Sequence, residues 1–254
     1  VTYSPGTLTI TKNGTLAVTG TSYNNEYDAK VHGTAASVNV TEGTKVSYKV
    51  GEDGKWTEEV PTIKDVGSKE VTVKAENPNY ETAEGRYTLT VTPKAVTVTA
   101  ENKSKVYGEA DPKLTAVVSG TIGDDKVTYS LSREAGENVG NYAITASGEE
   151  KQGNYTVTYI QGILTITGQS IVPEDPSYKG VDVDSPSDHE YDGNEHKWEP
   201  TVKDGSGTEL TAGTDYEVSY DTEDFVNVKT ITVTIKGIGN YKGQVTRTYK
   251  ITPK

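Results

Sequence analysis

The sequence predicts an all-β chain of small antiparallel modules in tandem, and three observations carry that prediction. The first is repetition across the 254 residues. Asp65-Val66-Gly67 … Asn79-Tyr80 … Leu89-Thr90-Val91 recurs as Asn138-Val139-Gly140 … Asn154-Tyr155 … Leu164-Thr165-Ile166, and again as Asn227-Val228 … Asn240-Tyr241 … Tyr249-Lys250-Ile251. A recurring series of signals settles architecture before any single segment does. The second is alternation: Val, Ile, Leu and Tyr fall at every other position with Thr between them, as in half-buried strands. The third is that no segment sustains a helical apolar period.

Taken in order, the chain opens with VTYSPGTLTIT (1–11), which matches VTYIQGILTIT (157–167) at eight of eleven positions. Residues 1–11 therefore read as the last hairpin of a truncated upstream repeat. The first module, 12–93, starts with the alternating Thr15–Gly20 and reaches Tyr27-Asp28. Lys45–Val50 alternates, and Asp53-Gly54 before Trp56 signals a two-residue hairpin turn, since both residues tolerate the positive φ of a type I′ turn. Glu70–Ala75 and Arg86–Val91 complete the module. Thr92-Pro93-Lys94 closes it, and Thr252-Pro253-Lys254 closes the third with the same tripeptide. Proline lacks a ladder donor, so it stops a strand and stiffens a short joint.

The second module spans 94–167, with Ala95–Ala100 as the counterpart of Thr15–Gly20 and Tyr107-Gly108 as that of Tyr27-Asp28. Residues 168–254 read as a linker plus a third module. Gly168–Glu190, with Pro173, Pro176 and Pro186, suggests a semi-rigid acidic spacer holding one extra strand near Ser170–Val172. Tyr191-Asp192-Gly193, Tyr216–Tyr220 and Thr230–Ile235 then follow the module pattern. The fold expected is a series of Ig-like β-sandwiches arranged as an elongated rod. A β-grasp-like module is the alternative, and it requires a helix.

Composition narrows the function classes. Apolar residues make up 32% of the chain, which suits several thin cores better than one large one. Net charge is −12, a balance that disfavours nucleic acid and anionic lipid as partners because both select clustered Lys and Arg. Cysteine is absent, so no disulfide, thiol nucleophile or zinc–thiolate site exists. No apolar run is long enough to span a membrane as a helix. Any signal or anchoring segment is expected outside these residues.

Lys105-Val-Tyr-Gly-Glu-Ala-Asp-Pro112, Glu190-Tyr-Asp-Gly-Asn-Glu-His196 and the closing Gly-Asn-Tyr at 153–155 and 239–241 resemble the bacterial MBG-type repeats with YGX or YDG motifs. The first module departs from that pattern, with Tyr-Asp-Ala at 27–29 and Pro-Asn-Tyr at 78–80. The resemblance implies extracellular arrays of β-rich modules in cell-wall-attached, adhesin-like proteins. It brings no catalytic residue and no cofactor. Some Gram-positive surface domains similar to these carry an internal Lys–Asn isopeptide or Thr–Gln ester bond, which would lower the mass by one ammonia.

Candidate sites are few. Neither a nucleophile elbow nor a Ser/His/Asp order occurs, and no carboxylate pair stands out, so an enzyme is not expected. His32, His189 and His196 read as exposed loop residues rather than metal ligands. Asp182, Asp184 and Asp188 alternate as in calcium loops but lack the turn glycine and the closing Glu; they read as a solvated linker. Tyr80, Tyr155 and Tyr241 occupy one repeat position and read as structural caps of small cores, with hydroxyls bonded to backbone. Trp56 and Trp198 are not equivalent by position, which makes them the binding candidates. The function expected is a non-enzymatic stalk; the alternative is a module that binds host glycan, mucin or extracellular matrix protein.

Overall fold

The computed structural model describes residues 2–12 and 14–254. Every regular element among them is a strand. The first repeat holds β1 (Val18–Thr19), β2 (Tyr23–Glu26), β3 (Ser37–Val38), β4 (Lys45–Val50), β5 (Gly67–Glu76) and β6 (Ala83–Thr92). The second holds β7 (Lys94–Ala100), β8 (Lys103–Val106), β9 (Ala116–Ser119), β10 (Ser130–Arg133), β11 (Gly140–Ser147), β12 (Lys151–Gln152), β13 (Tyr155–Ile160) and β14 (Gly162–Thr167). The third holds β15 (Gln169–Ser170), β16 (Asp182–Val183), β17 (His189–Glu190), β18 (Val202–Lys203), β19 (Tyr216–Tyr220), β20 (Lys229–Gly237), β21 (Tyr241–Lys242) and β22 (Gln244–Thr252). The helix that a β-grasp module needs is not found among the described residues.

Contacts divide the chain into two compact units, the first comprising Val1–Val98, Val118–Tyr129 and Gly148–Thr158 and the second the remainder. In the first unit, a four-stranded sheet runs β2-β6-β5-β4. Antiparallel β5 and β6 pair Val71 with Tyr87 and Val73 with Gly85. Alternation then sends Val71, Val73, Ala75, Tyr87, Leu89 and Val91 into one core. The β1–β3 ribbon lies over that face, and only glycine fits at position 20, where a Cβ would stand 1.9 Å from the Tyr87 ring. A second sheet, β12-β13-β7-β9, falls mostly in this unit and buries Val96, Val98, Tyr155 and Val157.

The second unit contains the sheet β10-β11-β14-β8, whose β11 and β14 bury Ile144, Ala146, Leu164 and Ile166. It also contains the sheet β17-β22-β20-β19 with the β16–β18 ribbon. Val183 and Val202 from that ribbon join Ile231, Val233, Ile235, Tyr249 and Ile251 in one apolar cluster.

Antiparallel pairing dominates, as expected, and each repeat also pairs an early strand in parallel with its closing strand, which the sequence pattern does not reveal. β2 runs parallel to β6, β8 to β14 and β17 to β22. Parallel neighbours need a long connection, and here nearly the whole repeat supplies it. The amides of Tyr27, Tyr107 and Tyr191 then donate to the carbonyls of Thr92, Thr167 and Thr252 at 2.9, 2.8 and 2.9 Å. The recurring Tyr-Asp or Tyr-Gly signal is therefore the point where the chain leaves its parallel pairing with the closing strand.

Two local expectations are corrected. The turn after β4 is not a two-residue type I′ loop: the left-handed residue is Gly51, and neither Asp53 nor Gly54 has positive φ. Strand pairing resumes only where Tyr48 and Thr57 exchange bonds of 2.7 and 2.9 Å, so the loop is wider. Residues 168–190 are not a solvated spacer. Ile171, Val181 and Val183 belong to the third repeat's core, and β15 pairs with β21. Alternating Val and Asp here marks strand structure, with the acid facing water and the valine inward. In residues 2–12 no strand forms, and Leu8 and Ile10 are each 87% exposed, whereas their counterparts Leu164 and Ile166 are buried; Val1 of that aligned stretch lies outside the described residues.

Candidate functional site

The most organised feature beyond the cores is a contact made twice from the recurring signals. In the first unit, the Asn154 side chain accepts the Val66 amide at 2.8 Å and donates to Asp65 Oδ1 at 3.0 Å. Its carbonyl accepts the Lys94 amide at 3.0 Å. Beside it, the rings of Tyr155 and Tyr27 meet edge to face, 5.7 Å apart at 87°. In the second unit, Asn240 accepts the Val139 amide at 2.8 Å and donates to Asn138 Oδ1 at 3.0 Å, and its carbonyl accepts the Gln169 amide at 3.0 Å. Tyr241 meets Tyr107 edge to face, again at 5.7 Å, with 73° between planes. Each joint thus links the closing Asn-Tyr of one repeat to the opening Tyr and the Asx-Val pair of the repeat before it. An amide side chain fits because it both donates and accepts at one point.

This contact was not legible in the sequence. Its partners are 89 and 102 residues apart, so the spacing within a repeat does not reveal it. Asn-Tyr and Asx-Val were both visible as recurring pairs, and that shared recurrence was the available signal.

The three repeat tyrosines have different surroundings. Tyr155 is buried, accepts the Ile122 amide at 3.1 Å and donates to Asp125 at 2.6 Å. Burial and that carboxylate push its hydroxyl pKa up. Tyr241 is buried as well, and burial pushes its hydroxyl up to about 12. Tyr80 is half-buried, in a turn anchored by Asn77, whose side chain bonds Glu42 O and Thr44 Oγ1.

Of the binding candidates, Trp56 is 39% exposed, with Lys74 Nζ 4.8 Å and Lys49 Nζ 5.6 Å from its ring centre. Ser47 and the pairs Lys45–Glu58 and Lys74–Glu76 line the shallow groove around it. Trp198 is half-buried against the third repeat's core; its amide donates to Tyr249 Oη at 3.4 Å and its carbonyl accepts Tyr220 Oη at 2.8 Å. Trp56 lies in the first unit and Trp198 in the second.

The histidines are not free loop residues. His32 stacks on Tyr23 at 4.2 Å and reaches Asp28 at 2.8 Å; His196 stacks on His189 at 4.5 Å and reaches Asp192 at 2.9 Å. The amide and side chain of Asn194, then His196, hold the Asp192 carboxyl down to about 2. No group of three or more His, Cys, Asp or Glu among the described residues is placed to hold a metal. The linker acids serve backbone donors: Asp184 accepts the Thr201 amide at 2.8 Å and Asp188 the Lys250 amide at 2.7 Å.

Lys105 is the only buried lysine among the described residues. Its Nζ lies 2.8 Å from Asp111 and 2.5 Å from Glu137, and Arg133 also bonds both acids. Asp111, then Glu137, raise its pKa; the cations in turn hold both carboxyls below their ordinary range. Amide formation needs a neutral amine and a protonated acid, so this ion pair opposes a crosslink at Lys105.

Residues 96–165, within the middle repeat, match the family model described as MBG domain (YGX type). No curated protein matches the chain. Among solved structures, the chain is similar to a 3Ig structure of titin at 12% identity, covering 92% of this chain and 95% of that one with a TM-score of 0.32. Drosophila N-cadherin EC1-3 matches at 10% identity over 92% and 99% of the two chains, TM-score 0.30. Mouse cadherin-23 EC22-24 matches at 10% over 95% and 100%, TM-score 0.27.

Proposed function

We propose that this chain is a non-enzymatic structural segment of an extracellular, adhesin-like bacterial surface protein. In this reading the modules 12–93, 94–167 and 168–254 form a rod-like spacer that projects a distal region from the cell wall. The observation that supports it most is the joint, built from the same residue types at Asn154 and at Asn240. A joint that repeats with the module is what an array requires, since each repeat then presents one half to each neighbour.

Strand geometry fits a load-bearing role: the closing strand β14 lies between β11 and β8, so a pull at its end is resisted by the ladders to both neighbours at once. Net charge of −12 keeps neighbouring rods apart.

A binding role would rest on Trp56, the more exposed of the two tryptophans, but two lysines already cover its ring. A solid-phase panel of mucins, glycans and matrix proteins, with Trp56→Ala and Trp198→Ala as controls, separates the readings. No saturable binding by the folded chain is expected. Saturable binding lost in one variant would replace the spacer with an adhesive module.

A further inference from the structure

The third repeat carries the receiving half of the joint on an open face. Its Asx-Val pair is Asn227-Val228, its opening tyrosine is Tyr191, and its closing tripeptide Thr252-Pro253-Lys254 repeats Thr92-Pro93-Lys94. Where the joint is filled, the corresponding tyrosines are covered: Tyr27 is 6% exposed and Tyr107 half-buried. Tyr191 is 40% exposed and Val228 50%. The Val228 amide has no acceptor among the described residues, although its counterparts Val66 and Val139 both donate to an asparagine. Asp224 is already in place behind the pair, accepting the Asn227 amide at 3.1 Å and its Nδ2 at 3.0 Å. That bond leaves Asn227 Oδ1 as the acceptor, the role Asn138 Oδ1 plays towards Asn240.

We propose that Tyr191, Asn227, Val228 and Lys254 form a docking face for the closing Asn-Tyr turn of another repeat of this type. The inference rests on the spacer reading and adds its contact chemistry. The incoming asparagine would accept the Val228 amide, donate to Asn227 Oδ1 and accept the Lys254 amide through its carbonyl. The incoming tyrosine would stand edge-on to Tyr191. Surface and turn differ in shape, so the interface is head-to-tail and propagates instead of closing on itself. The first repeat presents the complementary turn, with Asn79 exposed and Tyr80 half-buried where Asn154 and Asn240 are partly covered and Tyr155 and Tyr241 fully so.

The test appends residues 95–167 after Lys254, so that the sequence continues as it does after Lys94, and follows single amides by hydrogen exchange. In the unextended chain, Val66 and Val139 should be protected and Val228 should exchange freely. In the extended chain, Val228 should slow by about tenfold or more, the factor that an added ~1.4 kcal/mol of local stability gives. Replacing the appended copy's equivalent of Asn154 by Ala should return Val228 to its free rate while leaving Val66 and Val139 protected. An unchanged Val228 rate beside protected Val66 and Val139 overturns the docking face alone. Free exchange at all three overturns the spacer reading with it.

Discussion

Replacing Lys105 by methionine tests how much the charged cluster of the middle repeat contributes. Lys105→Met keeps an unbranched apolar stem in a site where the lysine side chain is 3% exposed, and it removes two charge-assisted bonds, to Asp111 and Glu137. Breaking a buried ion pair by deleting one partner costs about 3–5 kcal/mol when the orphaned charge stays buried. Here the orphans do not: Asp111 is 41% and Glu137 62% exposed, and Arg133 still binds both. Water and the guanidinium therefore recover most of the penalty, and screening shrinks the remainder, leaving about 1–2 kcal/mol at neutral pH. Because both carboxyls titrate below their ordinary range in the folded chain, the unfolded chain binds more protons below about pH 4. The stability they contribute is present above that pH and lost as pH falls, so the gap between the two proteins should close on acidification.

A single bulk unfolding transition is ill-defined for a multi-repeat chain. Native-state exchange of the β11 and β14 amides reads this sheet alone. A loss above about 4 kcal/mol would show that the orphaned acids behave as buried charges, contrary to their exposure. A variant as stable as the parent, with no change in its pH profile, would show that the cluster contributes nothing.

Other outcomes follow from the same physics. Leu89→Ala, at a fully buried position of β6, should lower the stability of the first repeat's sheet by about 2–5 kcal/mol in the same exchange measurement. Tyr249→Phe removes the hydroxyl that donates to His196 O at 2.7 Å and should cost about 1–2 kcal/mol, read from β20 and β22 amides. Tyr241, raised to about 12, retains its proton longer in the folded chain than when unfolded, so its contribution is present below about pH 10 and lost between there and pH 12. Tyr241→Phe should remove one late-ionising hydroxyl from the folded chain's alkaline titration, as followed by tyrosinate absorbance.

Core strands were legible from the sequence because alternation is a local signal. Glu70–Ala75 and Arg86–Val91 lie within β5 and β6, and Thr230–Ile235 lies within β20. What escaped was non-local. Parallel pairing of β2, β8 and β17 with the closing strands joins ends of a repeat that no short motif connects. Residues 168–190 read as a linker because Pro and Asp dominate them, yet Ile171, Val181 and Val183 sit one residue in two and reach the core. Histidine offered the same lesson: sequence showed two residues flanking Tyr191-Asp192-Gly193, whereas their stacking depends on the parallel strand that places His189. At the joints, Tyr155 and Tyr241 were identifiable by recurrence. Their partners, Tyr27 and Tyr107, were noted only as strand punctuation.

Small-angle scattering of the folded chain in solution tests the spacer most directly. Three modules in line, each of roughly 30–40 Å, give a rod of order 100 Å and a radius of gyration near 30 Å. A compact protein of this length would have a radius of gyration of about 18 Å. Values near 30 Å are the expected result; values near 18 Å would contradict the spacer.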